Sequence, residues 1–397
     1  MRRAAGSLSA AAVVLAAFAL GFFVTQSERG AESAAAPVRG DEPVRLIDEI
    51  RAALNSSYYR WIEPDVLREP TVDEVLAGLE DPHTEYLTAA EYESLQDRTH
   101  GTYSGIGLTV GPARNGLLVT SAFVGPAREA GIRKGDVIVR VDGRPAGDLP
   151  FERSLALIKG ETGTIVHLTV RRRSAKQPRK VRTFDFTVVR QDIDVPPVSA
   201  RLVPTRKADV GHIRVFTFSD DAALKLEAAA SELVEAGAEG AILDLRDNPG
   251  GLLSQAVESA SVFLHGGIVC RTDGLHEDTQ TYRVSGVATH PDLPLVVLVN
   301  GGSASAAEIL AGALADHDRA ALVGERTFGK ASVQSVTPLR AGGALKLTTA
   351  KYVTPAGADI TGVGIEPGIV AVDNPLTPGD EALRIARRTL LQLLADA

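Results

Sequence analysis

The sequence predicts an α/β protein that carries a smaller β-rich module and a helical N-terminal segment. Three patterns support this division: residues 43–98 have helical periodicity, residues 99–190 contain short β runs separated by glycine, and residues 191–397 alternate strands with helices. With 397 residues, of which 44% are hydrophobic, the chain is long enough to bury the cores of two or three domains.

Residues 1–42 differ from the rest and predict an export segment. Arg2 and Arg3 precede an apolar run from Leu8 to Val24, whose length lies between that of a signal-peptide core and that of a membrane-spanning helix. A later alanine cluster would permit cleavage but lies well beyond the run, so an uncleaved anchor followed by a linker is favoured over a cleaved signal peptide. Because the positive flank stays in the cytoplasm, we expect the body to be extracytoplasmic, on the periplasmic side, and tethered to the inner membrane.

The segment 43–98 is predicted to be helical because apolar residues repeat at intervals of three and four. They are Val44, Ile47, Ile50 and Leu54. The run Thr71–Glu74 has the residue types of a helix start. The stretch "DPHTEYL", Asp81–Leu87, interrupts the helical pattern and is predicted to be a turn.

The module at 99–190 is predicted to be compact and β-barrel-like, with two helices. Its five β runs are "GIGLTVG", "GLLVTSAF", "DVIVRVDG", "TIVHLTVRRR" and "RTFDFTVVR". The helical pieces between them are "GPAREAG" and "FERSLALIKG". A basic run, Arg171–Lys180, could meet anionic lipid, but a solvated hairpin loop is the favoured interpretation.

The region 191–397 predicts a core of buried parallel strands. Apolar runs such as "GAILDLR" and "PLVVLVN" are each followed by a helical run, here "LLSQAVESASVFL" and "SAAEILAGALADH". Strands without polar alternation are typical of parallel sheets covered by helices on both faces. Residues 379–396 close the chain as an amphipathic helix.

Composition argues against several functional classes. A net charge of −8 disfavours nucleic-acid binding, which usually requires a basic excess. One cysteine, Cys270, allows no internal disulfide, and the eight scattered histidines lack the spacing of metal ligands. We therefore expect no metal and no other cofactor.

The stretch "LVGERTFGKASVQS", Leu322–Ser335, resembles a phosphate-binding loop but lacks two of its parts. Ala331 occupies the position where a hydroxyl would hold Mg²⁺, and the following "ASVQSVTPL" alternates like a strand where a helix is needed. A nucleotide site is therefore disfavoured. Lys330 remains either a surface lysine in a glycine-rich turn or a residue with other chemistry.

Two strand-to-helix corners could stabilise an oxyanion beside a serine. In "VNGGSASAAE" either Ser303 or Ser305 lies at a helix start, where unpaired backbone N–H groups favour negative charge, although helix capping is an equally ordinary role. In "LDLRDNPGGLL", Gly250 or Gly251 presents a further N–H group.

A serine hydroxyl needs a base, and Lys330 is the candidate. Its apolar neighbours would favour a neutral amine, as burial disfavours the charged form. If "KASVQ" is a strand, then Lys330, Ser332 and Gln334 share one face. Gln334 would then orient the amine without adding an acid that keeps it protonated.

These residues resemble the carboxyl-terminal processing peptidases, or tail-specific proteases, a family of serine-lysine peptidases. The matching stretches are "DLRDNPGGLL", "PLVVLVNGGSASAAEILAGAL", "RAALVGERTFGKASVQ", "LKLTTAKYVTPAG" and "GVGIEPGI". "YSGIGLTV" and "AGIRKGDVIVRVDG" look like the family's PDZ domain, and "DPHTEYL" resembles a stretch just before it. The resemblance implies a core with the crotonase and Clp-protease fold into which the PDZ domain is inserted.

The resemblance also implies a role for each site residue. Ser305 matches the family nucleophile, Lys330 the lysine and Gln334 the glutamine that assists it. The oxyanion hole would combine the N–H of Ala306 with that of Gly250 or Gly251.

The PDZ segment "SGIGL" would bind the C-terminal tail of a protein substrate. Its residues are Ser104, Gly105, Ile106, Gly107 and Leu108. An activating partner protein and a homo-oligomer are both compatible with this interpretation. The alternative function is a catalytically silent scaffold that binds peptides through its PDZ module.

Overall fold

The computed structural model describes residues 45–396 except for positions 114, 123, 148, 150–153, 155–156, 174–179, 195 and 374–378. This part of the chain forms two compact units, residues 100–196 and residues 45–99 together with 197–396. The predicted anchor lies outside the described residues. Within them, no helix combines the length and the apolar character that crossing a membrane requires.

The N-terminal segment is helical, as predicted. It contains α1 (Leu46–Ser57), a 3₁₀ turn (Val66–Arg68), α2 (Val72–Gly78) and α3 (Ala89–Thr99). Thr71 begins α2, since its hydroxyl accepts a hydrogen bond from the N–H of Glu74 at 3.3 Å. The prediction of a turn across the whole of Asp81–Leu87 was wrong in its last part. Glu85–Leu87 forms strand β1, because it pairs with a distant strand that contains Lys346.

The inserted unit is an open, antiparallel β structure with few helical residues. Its elements are β2 (Thr102–Gly105), β3 (Leu108–Ala113), β4 (Gly116–Ala122), α4 (Pro126–Glu129), β5 (Val137–Val141), β6 (Arg144–Pro145), β7 (Ile165–Arg173), β8 (Val181–Val189) and β9 (Gln191–Asp194). The main sheet has the order β3-β4-β5-β7-β8 with β6 on β5, while β2 pairs separately with β9. The expected barrel-like closure is therefore absent from the described residues. Half of the second predicted helix, 151–160, lies outside them.

The larger unit carries the predicted alternation of strands and helices. Its strands are β10 (Val198–Val203), β11 (Val210–Val215), β12 (Gly240–Asp244), β13 (Ile268–Gly274), β14 (Glu277–Arg283), β15 (Leu295–Val299), β16 (Ala321–Gly324), β17 (Ser332–Pro338), β18 (Ala344–Val353) and β19 (Ile369–Val370). Its helices are α5 (Ala222–Glu235), α6 (Leu253–Phe263), α7 (Ala306–Asp316) and α8 (Glu381–Asp396).

The central sheet has the order β10-β11-β12-β15-β16-β19 and is parallel from β11 onward. Every residue of β12 and β15 is buried, as expected for strands covered on both faces. One face packs against α5, α6 and α7 in the largest apolar cluster of the described chain. The other face packs against α8 through Ala382, Ala386 and Leu390. The carboxyl ends of β12 and β15 thus lead into two neighbouring corners.

A second, antiparallel sheet lies beside the first in the same unit. Strand β18 pairs with β17, β1 and β13, and β13 also pairs with β14. The sequence placed Lys330 on one face with Ser332 and Gln334 only if all three lay in a strand. In the structure, Lys330 lies before the strand begins. Strand β17 begins at Ser332, and Ala331 before it is left-handed with φ of 46°. A turn rather than strand alternation therefore sets the direction of the lysine side chain.

Candidate active site

Ser305 occupies a strained corner between a buried strand and a helix. Strand β15 ends at Val299, α7 begins at Ala306, and Ser305 between them has φ of 61° and ψ of −120°. A non-glycine residue in this region costs about 1–3 kcal/mol and persists only where its surroundings enforce it. The side chain is fully buried, and its Oγ has no hydrogen-bond partner among the described residues. The Ser305 hydroxyl thus lies at a helix N-terminus without a hydrogen bond to the described residues.

Ser303 differs from Ser305 because its hydroxyl is engaged on both sides. Its Oγ donates to the carbonyl of Leu245 at 2.8 Å and accepts from the N–H of Asn300 at 3.0 Å. These bonds connect the ends of β12 and β15. Ser303 therefore has a structural role in this corner, whereas the Ser305 hydroxyl makes no hydrogen bond to the described residues.

The second corner, Asn248–Gly251, lies directly against Ser305. A Cβ at Gly250 would be 2.7 Å from the Ser305 Cβ and 3.0 Å from the N atom of Ala306, so only glycine fits there. The N–H of Gly250 donates to Asn248 Oδ1 at 2.9 Å. Gly251 is the other candidate, and its N–H takes no part in the pairing that joins its neighbours to Phe218. Ala306 is the first residue of α7, where N–H groups lack intrahelical acceptors.

Glu308 connects the corner at Ser305 to the lysine turn, the segment Gly329–Ala331. Its carboxylate is fully buried and accepts four hydrogen bonds. The donors are the N–H groups of Ser305 (2.8 Å), Gly329 (2.6 Å) and Lys330 (3.0 Å) and the hydroxyl of Thr327 (2.6 Å). This one side chain therefore links the backbones of Ser305 and Lys330 directly.

Tyr352 supports the same two segments from strand β18. Its hydroxyl donates to the Ser305 carbonyl at 3.2 Å, and its backbone N–H donates to the Ala331 carbonyl at 3.1 Å. Burial raises the pKa of this phenol well above its usual value, so it remains a neutral donor.

Lys330 is 5% exposed and lies in a mixed electrostatic environment. Burial, reinforced by the positive charge of Lys346, lowers the pKa of its amine well below the ordinary value. Three carboxylates oppose this effect by stabilising the charged form; they belong to Glu308, Asp81 and Glu85. The Lys346 ammonium is itself paired with Glu85 Oε1 at 2.8 Å. The net effect on Lys330 is a lowered pKa, the direction that makes a neutral, proton-accepting amine more accessible.

Gln334 is fully buried next to the start of β17. Its Nε2 donates to Ser332 Oγ at 2.8 Å and contacts Thr348 Oγ1 at 3.5 Å. Its Oε1 is buried and accepts no hydrogen bond from the described residues. The amide therefore presents an acceptor that a lysine amine or ammonium would satisfy.

The turn Asp81–Thr84 belongs to this site, although sequence patterns indicated only a loop. Thr84 Oγ1 lies 2.7 Å from Asp81 Oδ2 and accepts from the N–H of Thr348 at 3.1 Å. Burial lowers the pKa of His83 to about 4, and Asp81 of the same turn is among the charges that act on Lys330. The turn is thus close enough to Lys330 to act on it electrostatically. Only the pairing of β1 with β18 brings it there, so no local signal could have found it.

The tail-binding candidates lie in the inserted unit, around the turn from β2 to β3. Gly107 is left-handed with φ of 76°, and the carbonyl of the buried Ile106 accepts from the N–H of Ala127 at 3.0 Å. Ser104 Oγ donates to the Gly160 carbonyl at 2.7 Å. Strand β3, which starts at Leu108, lies at one edge of its sheet, and an edge strand can accept an additional strand.

Comparison with known families identifies two matching regions of the chain. Residues 209–371 match the profile of Peptidase family S41, and residues 124–172 match that of the PDZ domain. The first match contains both corners and the lysine turn. The second lies inside the inserted unit.

Individual relatives extend the likeness over most of the chain. A carboxy-terminal-processing protease of Bartonella bacilliformis is 36% identical over 83% of this chain and 74% of its own length. A carboxyl-terminal-processing protease of Synechocystis is 40% identical over 77% of this chain and 71% of its own. Among solved structures, a photosystem II D1 C-terminal processing protease matches with a TM-score of 0.56 and 30% identity, covering 86% of this chain and 96% of that one. A putative S41 protease from Bacteroides fragilis shares the fold, with a TM-score of 0.61 at 15% identity and coverage of 91% and 99%.

Proposed function

The chain belongs to peptidase family S41, and on that premise we propose that it is an endopeptidase in which Ser305 is the nucleophile and Lys330 the general base. Family membership makes it a serine-type peptidase with a PDZ domain and protein substrates. The observation that carries the assignment is the contrast within one corner. The Ser303 hydroxyl is hydrogen-bonded, while the buried Ser305 hydroxyl has no hydrogen-bond partner among the residues that the structure describes.

In the proposed reaction, Ser305 Oγ attacks the carbonyl carbon of the substrate while the neutral Lys330 amine takes the hydroxyl proton. The resulting ammonium gives this proton to the leaving amine as the C–N bond breaks. Water then attacks the acyl-enzyme with Lys330 as base, and the proton returns to Ser305 Oγ as the ester bond breaks. Gln334 Oε1 would hold the amine and stabilise the transient ammonium.

We assign the oxyanion hole to the N–H groups of Ala306 and Gly251. Ala306 follows the nucleophile at the helix N-terminus, where the positive end of the helix dipole adds to the hydrogen bond. Gly250 contributes in another way: its lack of a Cβ leaves room beside Ser305, while its own N–H is held by Asn248. Two donors of this kind are the usual complement of an acyl-transfer site.

Substrate selection is proposed to depend on Ser104–Leu108 in the PDZ domain. A C-terminal tail would add as a strand along the β3 edge, and its carboxylate would meet backbone N–H groups of the preceding turn. If so, amidation of the substrate C-terminus should raise KM and leave kcat nearly unchanged. An equal KM for the free and amidated tails would contradict this assignment.

The location of the enzyme is proposed from the N-terminal segment. The positive flank and apolar run of residues 2–24 favour an extracytoplasmic body tethered to the inner membrane, where an activating partner or a second copy of the chain could bind it. An alkaline phosphatase reporter fused after residue 42 should be active, because alkaline phosphatase becomes active only after export. An inactive reporter that is stably expressed would contradict the proposed location.

Cleavage by the full-length chain tests the catalytic assignment. Wild type, Ser305→Ala and Lys330→Ala are incubated with an unfolded protein that ends in apolar residues, and labelling by a serine-reactive fluorophosphonate is followed in parallel. Both variants should lose cleavage, and labelling should map to Ser305. Ser303→Ala, the matched control, should retain labelling. If wild type cleaves and labels no better than the variants, the chain is a silent peptide-binding scaffold.

A further inference from the structure

The turn Asp81–Thr84 is anchored to the strand that faces Gln334 by a chain of polar contacts. Thr84 Oγ1 lies 2.7 Å from Asp81 Oδ2 and 3.3 Å from Thr348 Oγ1, and Thr348 Oγ1 lies 3.5 Å from Gln334 Nε2. Asp81, Thr84 and Thr348 are outside the proposed chemical step. All the groups that meet along this chain are buried or half-buried, so water competes weakly for them.

The direction of each hydrogen bond in this series of contacts follows from the Asp81 carboxylate at one end. A carboxylate only accepts, so the single proton of the Thr84 hydroxyl goes to Asp81. The Thr84 oxygen then accepts from the Thr348 hydroxyl, which in turn must accept from Gln334. Hence the amide of Gln334 has to present its NH₂ group to Thr348. The Ser332 hydroxyl lies 2.8 Å from the same Gln334 Nε2, but it can donate or accept and therefore imposes no direction.

We propose that Asp81 and Thr84 are positioning residues that fix which way the Gln334 amide faces, so that Oε1 remains available to the amine of Lys330. This inference rests on the proposed Ser-Lys function. Without the carboxylate the amide can rotate, and an NH₂ group then faces the lysine in a fraction of the molecules. The chain of contacts thereby makes a turn of the N-terminal segment part of the catalytic apparatus.

Asp81 has a second effect that Thr84 lacks. Its negative charge favours the protonated form of Lys330, together with those of Glu85 and Glu308, while Lys346 opposes them. Thr84→Val removes the directional bond and keeps this charge, whereas Asp81→Asn removes both. The two variants should therefore differ in their pH profiles.

The test uses the full-length chain with Thr84→Val, Thr84→Ser, Thr348→Val and the double valine variant. Loss of one directional hydrogen bond should lower kcat roughly tenfold, while KM stays within about twofold. Thr84→Ser keeps a hydroxyl and should recover most of the rate. Because both valine changes break the same chain, the double variant should lose little more than either single one. Thr349→Val, a buried threonine on the same strand, is the matched control.

For Asp81→Asn, the acid limb of the kcat profile should move to lower pH than in Thr84→Val, because an anion near Lys330 has been removed. The rate of fluorophosphonate labelling at Ser305 gives a second measure that needs no protein substrate. If Thr84→Val has the kcat, labelling rate and pH profile of the wild type while Lys330→Ala is inactive, the positioning role alone is overturned. Retained activity in Lys330→Ala would instead overturn the proposed function.

Discussion

Replacing Glu308 by glutamine should damage both the stability and the activity of the protein, although the shape of the side chain hardly changes. One carboxylate oxygen accepts from Thr327 and Gly329, and the other accepts from Ser305 and Lys330. The amide can turn its NH₂ group towards Gly329 and Thr327, where the Thr327 hydroxyl can accept from it but the Gly329 N–H cannot. At least one buried donor then loses its acceptor, so the free energy of unfolding should fall by at least about 1–3 kcal/mol.

A loss of this size is a measurable fraction of the 5–15 kcal/mol by which most domains are stable. Because the same bonds link the backbones of Ser305 and Lys330, kcat should also fall on the order of 100-fold. Urea unfolding followed by circular dichroism measures the first effect, and fluorophosphonate labelling in native buffer measures the second. Glu232→Gln, on the exposed face of α5, is the matched control and should change neither. Glu308→Gln with an unfolding curve and labelling rate like those of wild type would refute the role assigned to this carboxylate.

Three further predictions concern the same site. Gly250→Ala should abolish cleavage, because the added Cβ would lie 2.7 Å from that of Ser305. The control, Gly237→Ala, is also at a left-handed position but in open space, so it should lower the free energy of unfolding by only about 1–2 kcal/mol. Equal activity of the two variants would contradict the steric argument. In the wild type, the free energy of unfolding should rise by up to about 1.4 kcal/mol per pH unit as the pH approaches the ordinary lysine pKa, because the unfolded chain binds a proton that buried Lys330 does not. Lys330→Met should remove this pH dependence. If plots of unfolding free energy against pH are parallel for the two proteins, the lowered pKa is refuted. His83→Gln should keep kcat within a few-fold near neutral pH, since a pKa of about 4 makes this imidazole a weak base, and loss of cleavage in a folded variant would point to a histidine base.

The order of elements could be predicted because local periodicity carries it. Fully apolar runs identified β12 and β15 as buried strands, and helical spacing identified α5 to α8 within a few residues. The start of α2 was also predictable, since Thr71 and Glu74 are three residues apart. The short strand Glu85–Leu87 was not, because three residues have no periodicity of their own and form a strand only through pairing with β18.

The sequence by itself determined the chemistry available to this protein: serines at a helix start, a lysine in an apolar turn, a glutamine nearby and glycines at a second corner. Only the tertiary structure decided how these groups are engaged. It pairs the Ser303 hydroxyl, gives the Ser305 hydroxyl no hydrogen bond within the described part of the chain, and brings Thr84 to Thr348. The physical reason is that hydrogen bonding and burial depend on neighbours in space: Leu245 is 58 positions from Ser303, and Thr348 is 264 positions from Thr84.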